Sequence, residues 1–189
     1  MKKIIFKSLV VIVILLFLAS CSCPKSATYT IVGVHYVEKK NITEYMVLPY
    51  GTVFIPGKWE KAEYLNHSRQ QYFNNENGNR ISIALGPNNK FEFNQDGSKK
   101  GFDLLKAYFE WEKEYFTNTV KVDVKLIEEN PNDNYLIFQI YKKEDGMIKV
   151  NNYFFITEKH NTFYIFSVQT LGKWNQEQAI NFLKEIEIN

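Results

Sequence analysis

Two cysteines in 189 residues cannot build a disulfide framework. Three histidines, His35, His67 and His160, lie far apart, with no His-Glu-x-x-His and no dense Cys/His spacing. A zinc site would need them to converge in space, and the sequence holds no sign that they do. Neither charge dominates: 23 Lys+Arg stand against 21 Asp+Glu, a formal +2 that argues against a nucleic-acid binder with a broad basic face. No Gly-x-Ser-x-Gly occurs, so a nucleophile elbow is absent. Gly97-Ser98-Lys99-Lys100-Gly101 lacks the Gly-Lys-Ser/Thr end a phosphate-binding loop needs and reads as a plain loop. Glu128-Glu129 and Glu144-Asp145 sit at strand ends and turns, solvated rather than opposed across a pocket as catalytic carboxylates must be. There is no internal repeat.

What is present begins at the N-terminus. Met1–Lys7 is short and basic, and Leu9–Leu18 is ten unbroken apolar residues. A spanning helix needs roughly 20, so the run has the size of a signal-peptide core. Small residues follow, Ala19 and Ser20, and then Cys21. Leu18-Ala19-Ser20-Cys21 resembles the lipobox of bacterial lipoproteins. That resemblance implies a signal peptide over 1–20, acylation of the Cys21 thiol, and a lipidated tether over 21–28 containing Pro24. Loss of Lys2, Lys3 and Lys7 with the leader leaves 20 basic against 21 acidic residues, a nearly neutral mature chain. Acyl chains contribute about 0.8 kcal/mol per buried CH₂, so the membrane is an expected partner through Cys21, whatever the surface of the domain. Ser22, where some bacteria place an inner-membrane retention Asp, leans towards an outer-membrane anchor facing the periplasm. Cys23 has no third cysteine or nearby histidine with which to hold a metal.

Along residues 29–189 the pattern is that of one domain. Tyr29–Val37 is β-branched and aromatic, a strand. Tyr45–Leu48, Val53–Ile55 and Lys58–Tyr64 are short extended pieces punctuated by Pro49, Gly51, Pro56 and Gly57. Gln71–Phe73 and Arg80–Leu85 flank an Asn77-Gly78 turn, a strong hairpin signal. Asn88–Gly101 is polar and reads as a loop. Leu104, Leu105, Tyr108, Phe109, Tyr115 and Phe116 then recur at helical spacing, opposite Lys106, Glu110, Lys113 and Glu114. Val120, Val122, Val124 and Leu126 alternate cleanly with polar residues. With Tyr135–Tyr141, Met147–Ile156 and Thr162–Thr170 that segment predicts a four-strand meander. Asn175-x-x-Gln178 is a capping box opening a last helix whose buried stripe is Ala179, Ile180, Leu183 and Ile186. The class is α+β: an antiparallel sheet covered by two amphipathic helices.

The order of elements resembles the PsbP-like fold, an α/β/α sandwich found in photosystem II extrinsic proteins, a Ran-binding nuclear import factor and several bacterial envelope lipoproteins. Phe54-Ile55-Pro56-Gly57-Lys58-Trp59 is like that family's early strand ending in Pro and Trp, and Gly78-Asn79-Arg80-Ile81-Ser82-Ile83 like its glycine turn leading into a strand. The resemblance runs from about Tyr45 to the end, with Tyr29–Val37 an addition. It implies a non-catalytic assembly or binding protein, and it carries over no site residue.

Aromatic residues are abundant: 15 Phe, 12 Tyr and 3 Trp, of which only Phe6 and Phe17 leave with the leader. Most are expected in the core. Trp174 precedes the last helix and is placed to staple back against Ala179. Trp59, Tyr64 and Tyr72, beside turns, are candidates for an aromatic groove taking a glycan, peptide or lipid chain. The leading expectation is a non-enzymatic, lipid-anchored envelope protein whose domain binds a protein partner or assists assembly of an envelope complex. A ligand-binding module using that groove is the alternative, and an enzyme of unknown class the lesser one. No catalytic residue, metal or cofactor is expected.

Overall fold

The computed structural model describes residues 30–170 and 173–189; the leader, Cys21, Cys23 and the tether lie outside the described residues. Eleven strands are described: β1 (Ile31–Val37), β2 (Ile42–Leu48), β3 (Gly51–Pro56), β4 (Glu60–Leu65), β5 (Gln70–Asn74), β6 (Arg80–Pro87), β7 (Asp123–Asn130), β8 (Tyr135–Glu144), β9 (Met147–Lys159), β10 (Thr162–Gln169) and β11 (Glu187–Ile188). The helices are α1 (Gly101–Tyr115) and α2 (Gln176–Lys184). All pairings are antiparallel and form two sheets. One has seven strands in the order β4-β5-β6-β10-β9-β8-β7; the other has four, β1-β2-β3-β11. The α+β class with two covering helices and the meander β7–β10 are as expected. The second sheet is the correction: the Pro- and Gly-punctuated pieces before residue 57 form a sheet of their own, closed by the two-residue β11.

The centre of the seven-stranded sheet is buried on both faces. Phe163 and Ile165 of β10 point into a core shared with Leu104, Leu105, Tyr108 and Phe109 of α1. Tyr164, Phe166 and Val168 point the other way, to Tyr45, Val53 and Ile55 of the small sheet and Ala179 and Leu183 of α2. The layers are therefore α1, large sheet, then small sheet with α2. The capping box forms as its spacing predicts: Asn175 accepts from the Gln178 N–H, and the Gln178 side chain accepts from the Asn175 N–H. Asn75–Gly78 makes the expected turn, with Gly78 at φ 68°.

Two boundaries move. Val120 belongs to a π-helical turn, Phe116–Val120, that prolongs α1, and β7 begins only at Asp123. Asn88–Gly101 is not a free loop. Asn94 is fully buried; its amide donates to the Asn88 and Lys99 carbonyls and accepts from the Lys99 N–H.

The corner after β3 depends on Thr43. Its buried hydroxyl donates to the Gly57 carbonyl at 2.8 Å and accepts from the Trp59 N–H at 2.9 Å. Thr43→Val keeps the shape but leaves both groups unpaired away from water. It should cost about 1–3 kcal/mol in urea denaturation; stability equal to the parent protein would show that the corner does not need the hydroxyl.

Candidate functional site

The three aromatic candidates do not share a groove. Trp59 is buried, 4% exposed, its indole N–H donating to the Pro56 carbonyl and its rings packed on Trp174 and Phe182. Trp174 thus staples against Trp59 and Phe182 rather than Ala179 alone. A bulge between Lys61 and Tyr64 shifts the β4 register, so Tyr64 pairs with Gln71 and lies on the small-sheet side. The Gln71 amide fills the bulge by donating to the Ala62 and Glu63 carbonyls. Tyr72, the next residue along β5, pairs with Ser82 on the opposite face, under the Arg80 guanidinium at 4.4 Å. A sheet separates Tyr72 from the other two, because successive strand residues face opposite ways.

His35 lies on β1, His67 in the β4–β5 turn and His160 in the β9–β10 turn. Among the described residues no three His, Cys, Asp or Glu side chains gather to hold a metal. Burial raises the Glu112 carboxyl above its usual range, opposed by a 2.5 Å hydrogen bond from the Tyr108 hydroxyl. Burial and Glu112 together push Tyr108 well above the ordinary phenol value. Lys90 sits 5.0 Å over the Phe91 ring, and burial, reinforced by Arg69, lowers its ammonium to about 8. Two open clefts of about 420 and 570 Å³ are described, one on the outer face of the small sheet beside Ile42 and Phe54, the other along α1 beside Trp111. Neither takes in the candidate aromatics, and neither gathers Lys90, Tyr108 and Glu112.

The feature that stands apart is the end of the β8–β9 hairpin. Along β8 the pairing with β7 stops at Tyr141, and along β9 the pairing with β10 starts only at Asn152. Lys142–Val150 therefore project beyond both neighbours as a two-stranded arm, with a bulge between Lys142 and Lys143. Two strands alone are marginal in water, yet this arm exposes Met147 and Ile148 by 56% and 53%. Glu144 faces Met147 and Lys143 faces Ile148 across the ladder, and Lys142 bonds Glu144 at 2.5 Å. Asp145 and Gly146 turn the chain with positive φ. The arm is at the far end of β9 from the Tyr164 hydroxyl, which donates to the Tyr50 carbonyl beside the β2–β3 turn. Ile31, where β1 begins, pairs with Leu48 at that same turn. At 3.3 Å per residue, about 33 Å of strand separates Met147 from Thr157, the partner of Tyr164. The sequence signal for the arm was available in Met147-Ile148 following Asp145-Gly146, but its projection is set by where β7 and β10 stop.

Lys90, beside the β9–β10 turn at the opposite end of β9 from the arm, supplies a pH test. With its folded value below the ordinary 10.5, the charged form costs stability up to about pH 8, and that cost fades between 8 and 10.5. Lys90→Met should stabilise the protein near neutral pH by at most about 3 kcal/mol. The gain should shrink as pH rises through that window in thermal or urea melts, and a gain independent of pH would assign it to packing instead.

No family model matches the chain, and no curated protein does. Among solved structures the chain is similar to the solution structure of cyanobacterial PsbP (CyanoP) from Synechocystis sp. PCC 6803, over 90% of this chain and 99% of that chain, at 10% sequence identity and a TM-score of 0.49.

Proposed function

We propose that this is a non-enzymatic lipoprotein of a bacterial cell envelope. It is anchored through acyl chains on Cys21 to the outer membrane, faces the periplasm, and docks a protein partner on the β8–β9 arm to assist assembly of an envelope complex. The anchor rests on Leu18-Ala19-Ser20-Cys21 behind a ten-residue apolar core. The binding role rests on one observation, the exposure of Met147 and Ile148 on an arm that no other strand supports.

The chemistry follows from that placement. Met147 and Ile148, consecutive in β9, present one large apolar side chain on each face of the hairpin tip among Lys142, Lys143 and Lys149, small hydrophobic anchors rimmed by charge of the kind in which protein interfaces concentrate their affinity. A partner that covers Met147 and Ile148 also removes the fraying of a free two-stranded ladder. The arm is carried at the end of β9 away from the residue at which the chain enters β1.

Two measurements test the reading separately. Cys21→Ala should abolish acyl labelling and accumulate unprocessed precursor, whereas retained labelling would remove the anchor from the proposal. Affinity purification of the tagged full chain from solubilised membranes should bring down a stoichiometric partner that Met147→Glu/Ile148→Glu loses at least about tenfold, the cost of removing roughly 1.4 kcal/mol or more at a small interface. A partner retained by that variant would move the docking site off the arm.

A further inference from the structure

The two sheets end in four edges, and three of them are protected against further pairing. β4 carries Glu60, Lys61 and Glu63 and is broken by a bulge. β7 carries Asp123, Lys125, Glu128 and Glu129 and is also bulged. β11 is two residues long. These are the devices by which sheet edges avoid joining other chains: charge, bulges and brevity. β1 has none of them. Ile31-Val32-Gly33-Val34-His35-Tyr36-Val37 pairs with β2 in unbroken register over all seven residues and contains no Lys, Arg, Asp, Glu or Pro. Among the described residues β2 is its only strand partner, and its outer edge presents free backbone donors and acceptors beside Ile31 and Val32, 58% and 45% exposed.

We propose that the β1 edge pairs with the β1 edge of a second copy of this chain, antiparallel about a two-fold axis at Val34, so that the small sheets of two molecules join as one eight-stranded sheet. The strand is complementary to itself in that register. Ile31 meets Val37, Val32 meets Tyr36, Val34 meets Val34, and the bulk of His35 meets Gly33, with no like charges opposed. The side chains keep their faces: Val34, packed against the core formed with the small sheet, continues that layer into the partner copy. The inference does not depend on the lipid anchor and is compatible with it.

The full chain, purified in detergent, should show by light scattering twice the protein mass of one chain, falling to one on dilution. Val32→Asp/His35→Asp, both at exposed positions, should halve the mass at the higher concentration with an unchanged circular dichroism spectrum. A wild-type chain of single mass throughout, or a variant that keeps the doubled mass, overturns the proposal. Should the variant lose its sheet spectrum, cross-linking decides. In a Cys23→Ser background, Val34→Cys should oxidise to a disulfide joining the two copies, because self-opposed antiparallel residues lie about 4.5–5.5 Å apart at Cα. Val32→Cys, whose copies lie roughly 13 Å apart along the ladder, should link at least tenfold less. Peptide mass spectrometry identifies the linked residues; equal linking at both positions, or none at Val34→Cys, overturns the register.

Discussion

Strand β10 meets water on neither face, and the rest of the domain is arranged around that constraint. An antiparallel sheet with one solvated face needs a single covering layer; a sheet whose central strand reads TFYIFSV needs two. α1 supplies one. The other is too broad for the nine-residue α2, and the small sheet completes it. Polar side chains inside this slab are tied to one another: the Ser82 and Ser167 hydroxyls, paired across β6 and β10, lie 2.6 Å apart. The abundance of aromatics has the same cause. Rings fill the depth between layers in stacked and edge-on contacts, as with Phe138 on Phe154 and Tyr45 on Phe73, and the polar tips of Tyr164 and Trp59 reach backbone carbonyls.

Two-sided burial also explains which parts of the fold were legible in the sequence. Val120–Leu126 shows the clearest alternation in the chain, and alternation marks a strand with one wet face. That strand is the edge β7, where Val124 is only half-buried and Leu126 exposed. The central strand β10 carries almost no alternation, and in β6, where Ile81, Ile83 and Leu85 alternate with Ser82 and Ala84 as if one face were wet, the small residues are buried as well; their pairing with each other, across the whole of α1, β7, β8 and β9, was not readable from periodicity. Local chemistry was readable to the atom where one short motif holds both partners, as in Asn175-x-x-Gln178 and the Asn-Gly hairpin. It failed where the partner is remote. The small sheet is closed by Glu187–Ile188, far along the chain from β3, and Asn94 orders its loop through carbonyls that any sequence would provide.

The candidate site illustrates the same limit. Trp59, Tyr64 and Tyr72 are close in sequence and flank turns, which made a shared groove plausible. Register decided otherwise. A one-residue shift exchanges the faces of a strand, and the bulge after Lys61 sets the face of Tyr64 relative to Tyr72. The arm was hidden for a related reason: Lys142–Val150 looks like any hairpin until the neighbouring strands are seen to stop short of it.

The distribution of charge along strand edges then separates the surface by role. Where this molecule places Lys, Asp and Glu on an edge, pairing costs the desolvation of those groups, and the edge stays solvated. β4 and β7 are of that kind, and the lysines of the arm do the same for its outer borders while leaving Met147 and Ile148 open at its tip. β1 lies on a different sheet from the arm, and its free edge carries no such charge. A contact made by backbone ladder on β1 and a contact made by apolar side chains on the arm use different chemistry on different sheets. Neither needs the residues of the other, so the two proposed contacts are compatible in one molecule.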